Sequence, residues 1–193
     1  FISPGEDVYA GYLMATLDAG PIRLIPGLRI EATNTDNTGK RVAIAGSTAT
    51  VTDVSGSTNY ANVFPSLNAT WRVDEYTNIK AAVTTSLVRP QFRDMVPYVN
   101  IQVGQQTATI GNPDLKATTA LAFDLMLERY FRSVGFVAAG VFYKDLTNFI
   151  FPTSRPRLAE EPLGADATIV VQPVNGPTAK LYGFELAWQQ NLT

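Results

Sequence analysis

The stretch that decides the fold runs from Gly111 to Phe151 and reads GNPDLKATTALAFDLMLERYFRSVGFVAAGVFYKDLTNFIF. We predict two long strands in it, Thr118–Phe131 and Val134–Phe151, separated by the short polar break Arg132-Ser133. In the first strand every second residue is large and apolar, namely Leu121, Phe123, Leu125 and Leu127. The positions between them are Ala122, Asp124, Met126 and Glu128. Because successive side chains of a strand point to opposite faces, one face is apolar and the other carries two carboxylates.

The length of this predicted strand is informative as well. Strands of soluble sheets usually have about five or six residues, whereas a tilted strand that crosses a membrane needs about 9–11. Thr118–Phe131 exceeds both lengths. A long strand with one apolar and one charged face, followed by a tight turn and a second long strand, is typical of a transmembrane β-barrel hairpin.

The composition narrows the possible functions. The chain has 193 residues, enough for one substantial domain, and a net charge of −2, so it lacks the basic field that attracts nucleic acid. Charged residues make up 17% of it, below the roughly 25% of soluble domains. Cysteine and histidine are absent, which removes disulfides, thiolate metal ligands and the commonest general base. We therefore expect no enzyme and no cofactor. The first residues, FISP, lead us to expect a piece of a longer protein.

Alternating patterns predict further strands outside the central hairpin. These are Glu6–Leu17, Ile22–Asn34, Val63–Val73, Asn78–Val88, Ala179–Asn191 and a shorter one at Thr168–Val174. Between them we predict three long loops: a polar one from Thr35 to Asn62 with an extended hairpin at Val42–Val54, an irregular one at Arg89–Ala117, and another at Pro152–Asp166. Pro26 and Pro65 fall inside predicted strands, where a missing N–H donor is unfavourable.

The breaks between strands alternate between short and long along the chain. In an antiparallel meander, alternate connections lie at the same end of the sheet, so all short turns fall at one end and all long loops at the other. This asymmetry is typical of outer-membrane barrels. Four aromatic residues near the short turns are predicted to form an interfacial girdle: Trp71, Tyr130, Phe131 and Trp188.

Six short segments also follow one another in a familiar order. They are Leu24–Glu31, Val63–Asn68, Ser86–Phe92, Gly111–Lys116, Phe142–Ile150 and Ala179–Glu185. In this succession the sequence resembles the barrel of TonB-dependent outer-membrane receptors of the proteobacterial type. The resemblance implies an all-β fold, an antiparallel up-and-down meander that forms part of a large transmembrane β-barrel. Such barrels have about 22 strands around a plug, and residues 1–193 would supply about seven crossing strands with no plug domain.

The resemblance also implies a function and a set of partners. The chain would be a fragment of an active transporter in the bacterial outer membrane that binds a scarce nutrient, such as a siderophore or an oligosaccharide, and imports it with TonB-derived energy. Its partners would be that ligand, outer-membrane lipid, the plug and the other strands of the receptor, and TonB only through the missing plug region, with no nucleic acid.

Eight residues are candidates for ligand binding. Six belong to the predicted loop at the ligand-facing end, namely Arg89, Gln91, Phe92, Arg93, Asp94 and Tyr98, and two face the lumen, Asp124 and Glu128. Guanidinium groups suit anionic or hydroxyl-rich ligands, and aromatic rings can stack on them. The competing interpretation is structural: the arginines anchor the loop, and the carboxylates pair with Arg23, Arg29, Arg72 or Lys80.

Two other functions fit parts of the pattern. One is a passive outer-membrane channel without a plug, and the other is a soluble β-sandwich binding domain. The sandwich predicts that Leu121, Phe123, Leu125 and Leu127 pack against a second layer of the same chain.

Overall fold

The computed structural model describes residues 2–45, 48–96, 98–102, 106–132, 135–159, 161, 163 and 167–190. Within these ranges the chain is almost entirely strand. The strands are β1 (Ile2–Met14), β2 (Leu17–Ala19), β3 (Ile22–Ala45), β4 (Thr48–Arg72), β5 (Thr77–Val88), β6 (Val99–Gln102), β7 (Thr107–Ile110), β8 (Thr118–Phe131), β9 (Gly135–Thr147), β10 (Ile150–Pro156), β11 (Ile169–Asn175) and β12 (Thr178–Gln190). One short helix, α1 (Phe92–Met95), follows β5. The described residues contain no helix long and apolar enough to cross a membrane.

The long strands form one antiparallel sheet in the order β1-β3-β4-β5-β8-β9-β12, with β2 continuing β1 alongside β3. Each long strand pairs with the next long strand along the chain, so the sheet is an up-and-down meander, as predicted. β8 has the predicted bounds, and it pairs with β9 from Thr119↔Thr147 to Phe131↔Gly135. The short turns lie at one end of the sheet and the long connections at the other.

The first long connection differs from its prediction. The predicted extended hairpin at Val42–Val54 is confirmed, but the residues on either side of it are not a loop, because β3 and β4 form an unbroken ladder from Ile22↔Trp71 to Ala45↔Thr48. The flanking residues 35–41 and 55–62 are polar on both faces, so they lack the alternation that marks a strand with one buried face. The segment from Thr35 to Asn62 is rich in threonine, however, and β-branched residues favour extended backbone. The result is a tall ribbon, to which β1 adds a third strand as far as Ile2↔Gly39.

Both prolines lie where the ladder needs no donor. The Ala15 N–H donates to the Pro26 carbonyl (3.1 Å) at the gap between β1 and β2. The β4–β5 ladder begins at Ser66↔Thr84, one residue after Pro65, whose carbonyl accepts from the Thr85 hydroxyl (2.9 Å). Because the N–H and C=O of a strand residue point to the same side, each missing N–H falls where backbone pairing has stopped.

The other two long connections form a second sheet. The strand predicted at Thr168–Val174 is confirmed as β11, whereas β6, β7 and most of β10 lie in segments predicted as irregular loops. The order of the second sheet is β10-β11-β7-β6, with β11 and β7 parallel from Ile169↔Thr107 to Val171↔Thr109. The only buried hydrophobic cluster among the described residues lies here, made by Ala108, Leu163, Ala167 and Val170. The core therefore belongs to the loops and not to the main sheet.

Candidate functional site

The main sheet has an uncovered apolar face. Each of its seven long strands places a large hydrophobic side chain there that is at least about one-third exposed: Leu13, Ile30, Trp71, Val83, Leu125, Val141 and Leu186. Leu125 is 50% exposed, and Leu121, Phe123 and Leu127 are also exposed. No second layer of the described chain covers these four leucine and phenylalanine side chains, which contradicts the β-sandwich.

The opposite face of the sheet, the polar face, carries paired charges. The Lys80 ammonium donates to Glu128 Oε1 at 2.7 Å, and the Tyr130 hydroxyl donates to Glu128 Oε2 at 3.0 Å. Glu128 is only 8% exposed, so its carboxylate is fully used by wall residues. Tyr130 consequently lies on the polar face, and its prediction as a girdle residue is wrong. Trp71, Phe131 and Trp188 are exposed near the short turns.

Asp124 lines a shallow cavity on the polar face, the wall cavity, of about 410 Å³. Lys80, Phe142, Lys144 and Glu185 also line it. Within the described part of the chain, the carboxylates of Asp124 and Glu185 form no hydrogen bond or ion pair. They remain open to a partner on this face.

Arg89 is tied to the tall ribbon. Its Nη2 donates to Glu31 Oε2 at 2.7 Å and to the Thr33 hydroxyl at 3.0 Å, and its Nε lies 3.1 Å from Glu6 Oε1. Arg29 donates to the other oxygen of Glu31 at 2.7 Å. These contacts make Arg89 a loop anchor, because its guanidinium is already surrounded by carboxylates.

A larger cavity of about 570 Å³, the mouth cavity, opens at the long-loop end between the main sheet and the second sheet. The structure brings five of the predicted ligand residues to its lining: Arg89, Gln91, Arg93, Asp94 and Tyr98. Phe92 begins α1 and is not among the residues that line either cavity. Asp124 and Glu128 lie further down the polar face.

Sequence reasoning missed Phe149 and Phe151, which also line the mouth cavity. Their rings are nearly parallel (13°), with centroids 6.2 Å apart. The strand Val134–Phe151 was predicted to be continuous, which hid the turn at Asn148, a residue with positive φ (57°). The signal that could have revealed this turn is the Thr-Asn pair itself, because asparagine tolerates the left-handed conformation.

The segment from Gly111 to Lys116, at the end of the β5–β8 connection, is hydrogen-bonded to β11 in the β9–β12 connection. The Asn112 amide donates to the Pro173 carbonyl (3.0 Å), and the Gln172 amide donates to the Gly111 carbonyl (3.2 Å). Asn175 accepts from the Lys116 N–H (2.8 Å) and donates to the Lys116 carbonyl (2.9 Å). The walls of the mouth cavity are thus held in place by direct bonds.

Hydrogen bonds and ion pairs lower the pKa of two carboxyl groups in the connections between strands. The pKa of Asp74, in a short turn, is lowered by hydrogen bonds from the Tyr76 N–H and the Thr77 hydroxyl and by Arg129. The pKa of Glu161, in the last long loop, is lowered chiefly by its hydrogen bonds with Arg155, of which one measures 3.0 Å. Among the described residues no group of three acidic side chains is placed to hold a metal ion.

Comparisons with known proteins agree with this geometry. The family profile described as "TonB dependent receptor-like, beta-barrel" matches residues 2–193. No curated protein sequence matches the chain.

Several solved structures share the fold. The hemophore receptor HasR of Serratia marcescens, solved with its hemophore HasA and heme, has a TM-score of 0.70 and 16% identity over 94% of this chain and 31% of HasR. The ferric enterobactin receptor PfeA of Pseudomonas aeruginosa has a TM-score of 0.61 and 16% identity over 96% of this chain and 33% of PfeA. The copper transporter OprC has a TM-score of 0.68 and 15% identity over 94% of this chain and 26% of OprC.

This chain therefore spans about a third or less of the length of these three proteins. The apolar face, the polar face and the sorted connections are those of a barrel wall seen in part. With a family profile that matches nearly every residue, the chain belongs to the TonB-dependent receptor-like β-barrel family.

Proposed function

We propose that this chain is part of an outer-membrane receptor that binds a scarce nutrient and imports it with TonB-derived energy. It supplies about seven crossing strands to a larger barrel, and the plug and the remaining strands come from outside residues 1–193. The observation that carries the proposal is the two-faced sheet of a member of this receptor family. Its apolar side is uncovered, and its charged side carries the wall cavity. The membrane that fits the apolar side is the bacterial outer membrane.

Ligand contacts in this proposal come from the mouth cavity and the wall cavity. The side chains of four lining residues form no hydrogen bond or ion pair with other described residues, namely Gln91, Arg93, Asp94 and Tyr98. Asp124 offers a carboxylate on the wall below. Arg89 and Glu128 support these contacts indirectly, because Arg89 ties its loop to Glu31 and Glu128 pairs with Lys80 on the wall. Phe92 begins α1, the helix of the same loop. In this proposal the ligand crosses the membrane without chemical change, so the activity is transport.

Energy dependence of uptake tests the proposal. The gene for the whole receptor is deleted in its host and restored, in strains with and without TonB. Uptake is then measured for labelled ferric chelates, heme, copper ions and neutral oligosaccharides. We expect saturable uptake of one ligand class that requires TonB. Uptake that rises linearly with concentration and continues without TonB would show a passive channel instead.

A pair of matched variants tests the site. Arg93→Ala removes a guanidinium from the mouth cavity, and Arg132→Ala makes the same change at a short turn, at the opposite end of the sheet. We expect Arg93→Ala to weaken ligand binding and Arg132→Ala to leave it unchanged. Equal effects of the two variants would place the ligand elsewhere.

A further inference from the structure

The charges around the mouth cavity cancel. Arg89 and Arg29 are balanced by Glu31 and Glu6, all four within one cluster of contacts at 2.7–3.1 Å. What remains is one guanidinium, Arg93, and beside it one carboxylate, Asp94, neither of which forms an ion pair with another described residue. A multiply charged anion would gain one cation and face an uncompensated carboxylate, so this cavity favours a ligand without net charge.

The cavity also presents an aromatic platform. Phe149 and Phe151 are 44% and 39% exposed, and their ring planes differ by 13°. They line the mouth cavity, away from the apolar face that lipid would cover. Two parallel, partly exposed rings at the mouth of a pocket offer an aromatic surface against which the C–H face of a saturated ring can pack.

The position of Phe151 is set by the backbone opposite. A Cβ at Gly176 would lie 3.0 Å from Phe151 Cε1, tighter than ordinary contact, so the ring lies directly against this glycine. The Gly176 N–H also donates to the Phe149 carbonyl at 2.6 Å. The position of the two rings is therefore set by backbone contacts where β10 begins and β11 ends.

Hydrogen-bonding groups complete the cavity. The Gln91 amide both donates and accepts, the Asp94 carboxylate accepts, and the Arg93 guanidinium donates. The Tyr98 hydroxyl adds a further donor and acceptor. A mixture of donors and acceptors without net charge, beside an aromatic surface, matches a ring that carries several hydroxyl groups.

We propose that the mouth cavity binds an uncharged, polyhydroxylated ring ligand, a neutral oligosaccharide, stacked on Phe149 and Phe151. This inference deepens the proposed function and rests on it, because it names the substrate class of the same receptor. It differs from the ligands in the names of the similar structures, which are heme, a ferric siderophore and copper.

Binding to the purified whole receptor tests the inference. The probes are an array of neutral hexasaccharides, the anionic hexagalacturonate and an anionic ferric tris-catecholate chelate. We expect at least one neutral hexasaccharide to bind, with an affinity that changes less than about twofold between low and high salt, because no charge pairing is involved. Binding of anionic probes alone, a steep loss of affinity with salt, or no binding of any neutral sugar would overturn the inference.

Aromatic variants locate the site. Phe149→Ala and Phe151→Ala should each weaken sugar binding about tenfold. Phe184→Ala makes the same change on the apolar face and should have no effect. Gly176→Ala gives a second test with both rings intact, since it displaces Phe151, and should also weaken binding. Heat-modifiable mobility on gels confirms that each variant is folded. Unchanged affinity in all three cavity variants would contradict the platform.

The outcomes separate this inference from the proposed function. TonB-dependent import of an anionic chelate without sugar binding would overturn the neutral ligand and keep the receptor function. Sugar binding with uptake that needs no TonB would keep the neutral ligand and overturn energised import.

Discussion

At the scale of single residues, the short turn between β4 and β5 depends on one carboxylate. Asp74 Oδ1 accepts from the Tyr76 N–H (2.8 Å), and Asp74 Oδ2 accepts from the Thr77 hydroxyl (2.8 Å) and from Arg129 (2.9 Å). These contacts favour the ionised form and lower the pKa of Asp74. A lowered pKa means that the stabilisation is complete above the ordinary aspartate pKa, about 3.9, and is lost as the pH falls toward the folded-state pKa.

Asp74→Asn should therefore destabilise the receptor at neutral pH, and its difference from the unchanged protein should shrink as the pH falls below about 3.9. The measurement is urea unfolding in detergent at pH 7 and near pH 3, comparing the variant with the unchanged protein. Glu75→Gln is the control, because Glu75 is exposed and its nearest cation, Arg132, lies 3.9 Å away. A gap between Asp74→Asn and the unchanged protein that is as large in acid as at pH 7 would contradict this account.

At the scale of elements, Asn175 joins the two long loops. Its amide donates to Asn148 O (2.8 Å) and Lys116 O (2.9 Å), while its oxygen accepts from Lys116 N–H (2.8 Å). Asn175→Ala removes all three hydrogen bonds, of which the two to Lys116 are exposed, while Asn148 O keeps the Thr118 hydroxyl as a donor (3.0 Å). Each lost hydrogen bond costs about 0.5–1.5 kcal/mol. We expect faster hydrogen exchange in β7 and β11, whose parallel ladder is short. Asn175→Asp retains only the accepting role, so its hydrogen exchange should be faster than in the unchanged protein and slower than in Asn175→Ala. Unchanged exchange in β7 after Asn175→Ala would rule out this coupling.

A second prediction at this scale compares charge changes on the two faces of β8. Leu125→Arg places a charge on the apolar face, where lipid would lie, and should cost about 2–4 kcal/mol in a bilayer. Asp124→Arg makes a charge change one residue away, on the polar face, and should cost less than about 1 kcal/mol. Folding free energies in lipid vesicles measure both. Equal costs would mean that the two faces have the same surroundings.

At the scale of the whole molecule, the apolar face should meet acyl chains along its full width. Trp71 and Trp188 lie on it, exposed by 47% and 75%. In a receptor that retains only these two tryptophans, brominated lipids should quench their fluorescence strongly. A tryptophan introduced by Thr70→Trp, on the polar face beside Trp71, should be quenched weakly when Trp71 and Trp188 are replaced by phenylalanine. Similar quenching at both positions would contradict the assignment of faces.

The main sheet was predictable because the alternation of side chains is a local property of a strand. Leu121, Phe123, Leu125 and Leu127 show their common face within seven residues of sequence, and the observed bounds of β8 agree with the prediction. Between Thr35 and Asn62 in the tall ribbon, only the hairpin at Val42–Val54 was predicted, since the residues on either side of it, 35–41 and 55–62, are polar on both faces and show no such contrast. Their strand structure follows from pairing with a partner strand, which a single segment does not reveal.

The residues of the candidate site were likewise predictable only in part. The residues Gln91, Arg93, Asp94 and Tyr98 were found from their loop and their chemistry, and the structure brings them to one cavity. The role of Arg89 depended on Glu31, which is 58 residues away in the chain. Phe149 and Phe151 were hidden in a predicted strand. The position of their rings depends on Gly176, which lies against Phe151 and donates to the Phe149 carbonyl from more than twenty residues further along the chain.

By itself, the sequence determined the all-β meander, the apolar and polar faces and the sorting of short and long connections, because a period of two is set by neighbouring residues. Only the tertiary structure decided how the long connections fold together, which arginine is anchored and which is open, and where the aromatic rings lie. Those features depend on contacts between residues far apart in the chain, and the free energy of such contacts is not encoded in any one segment.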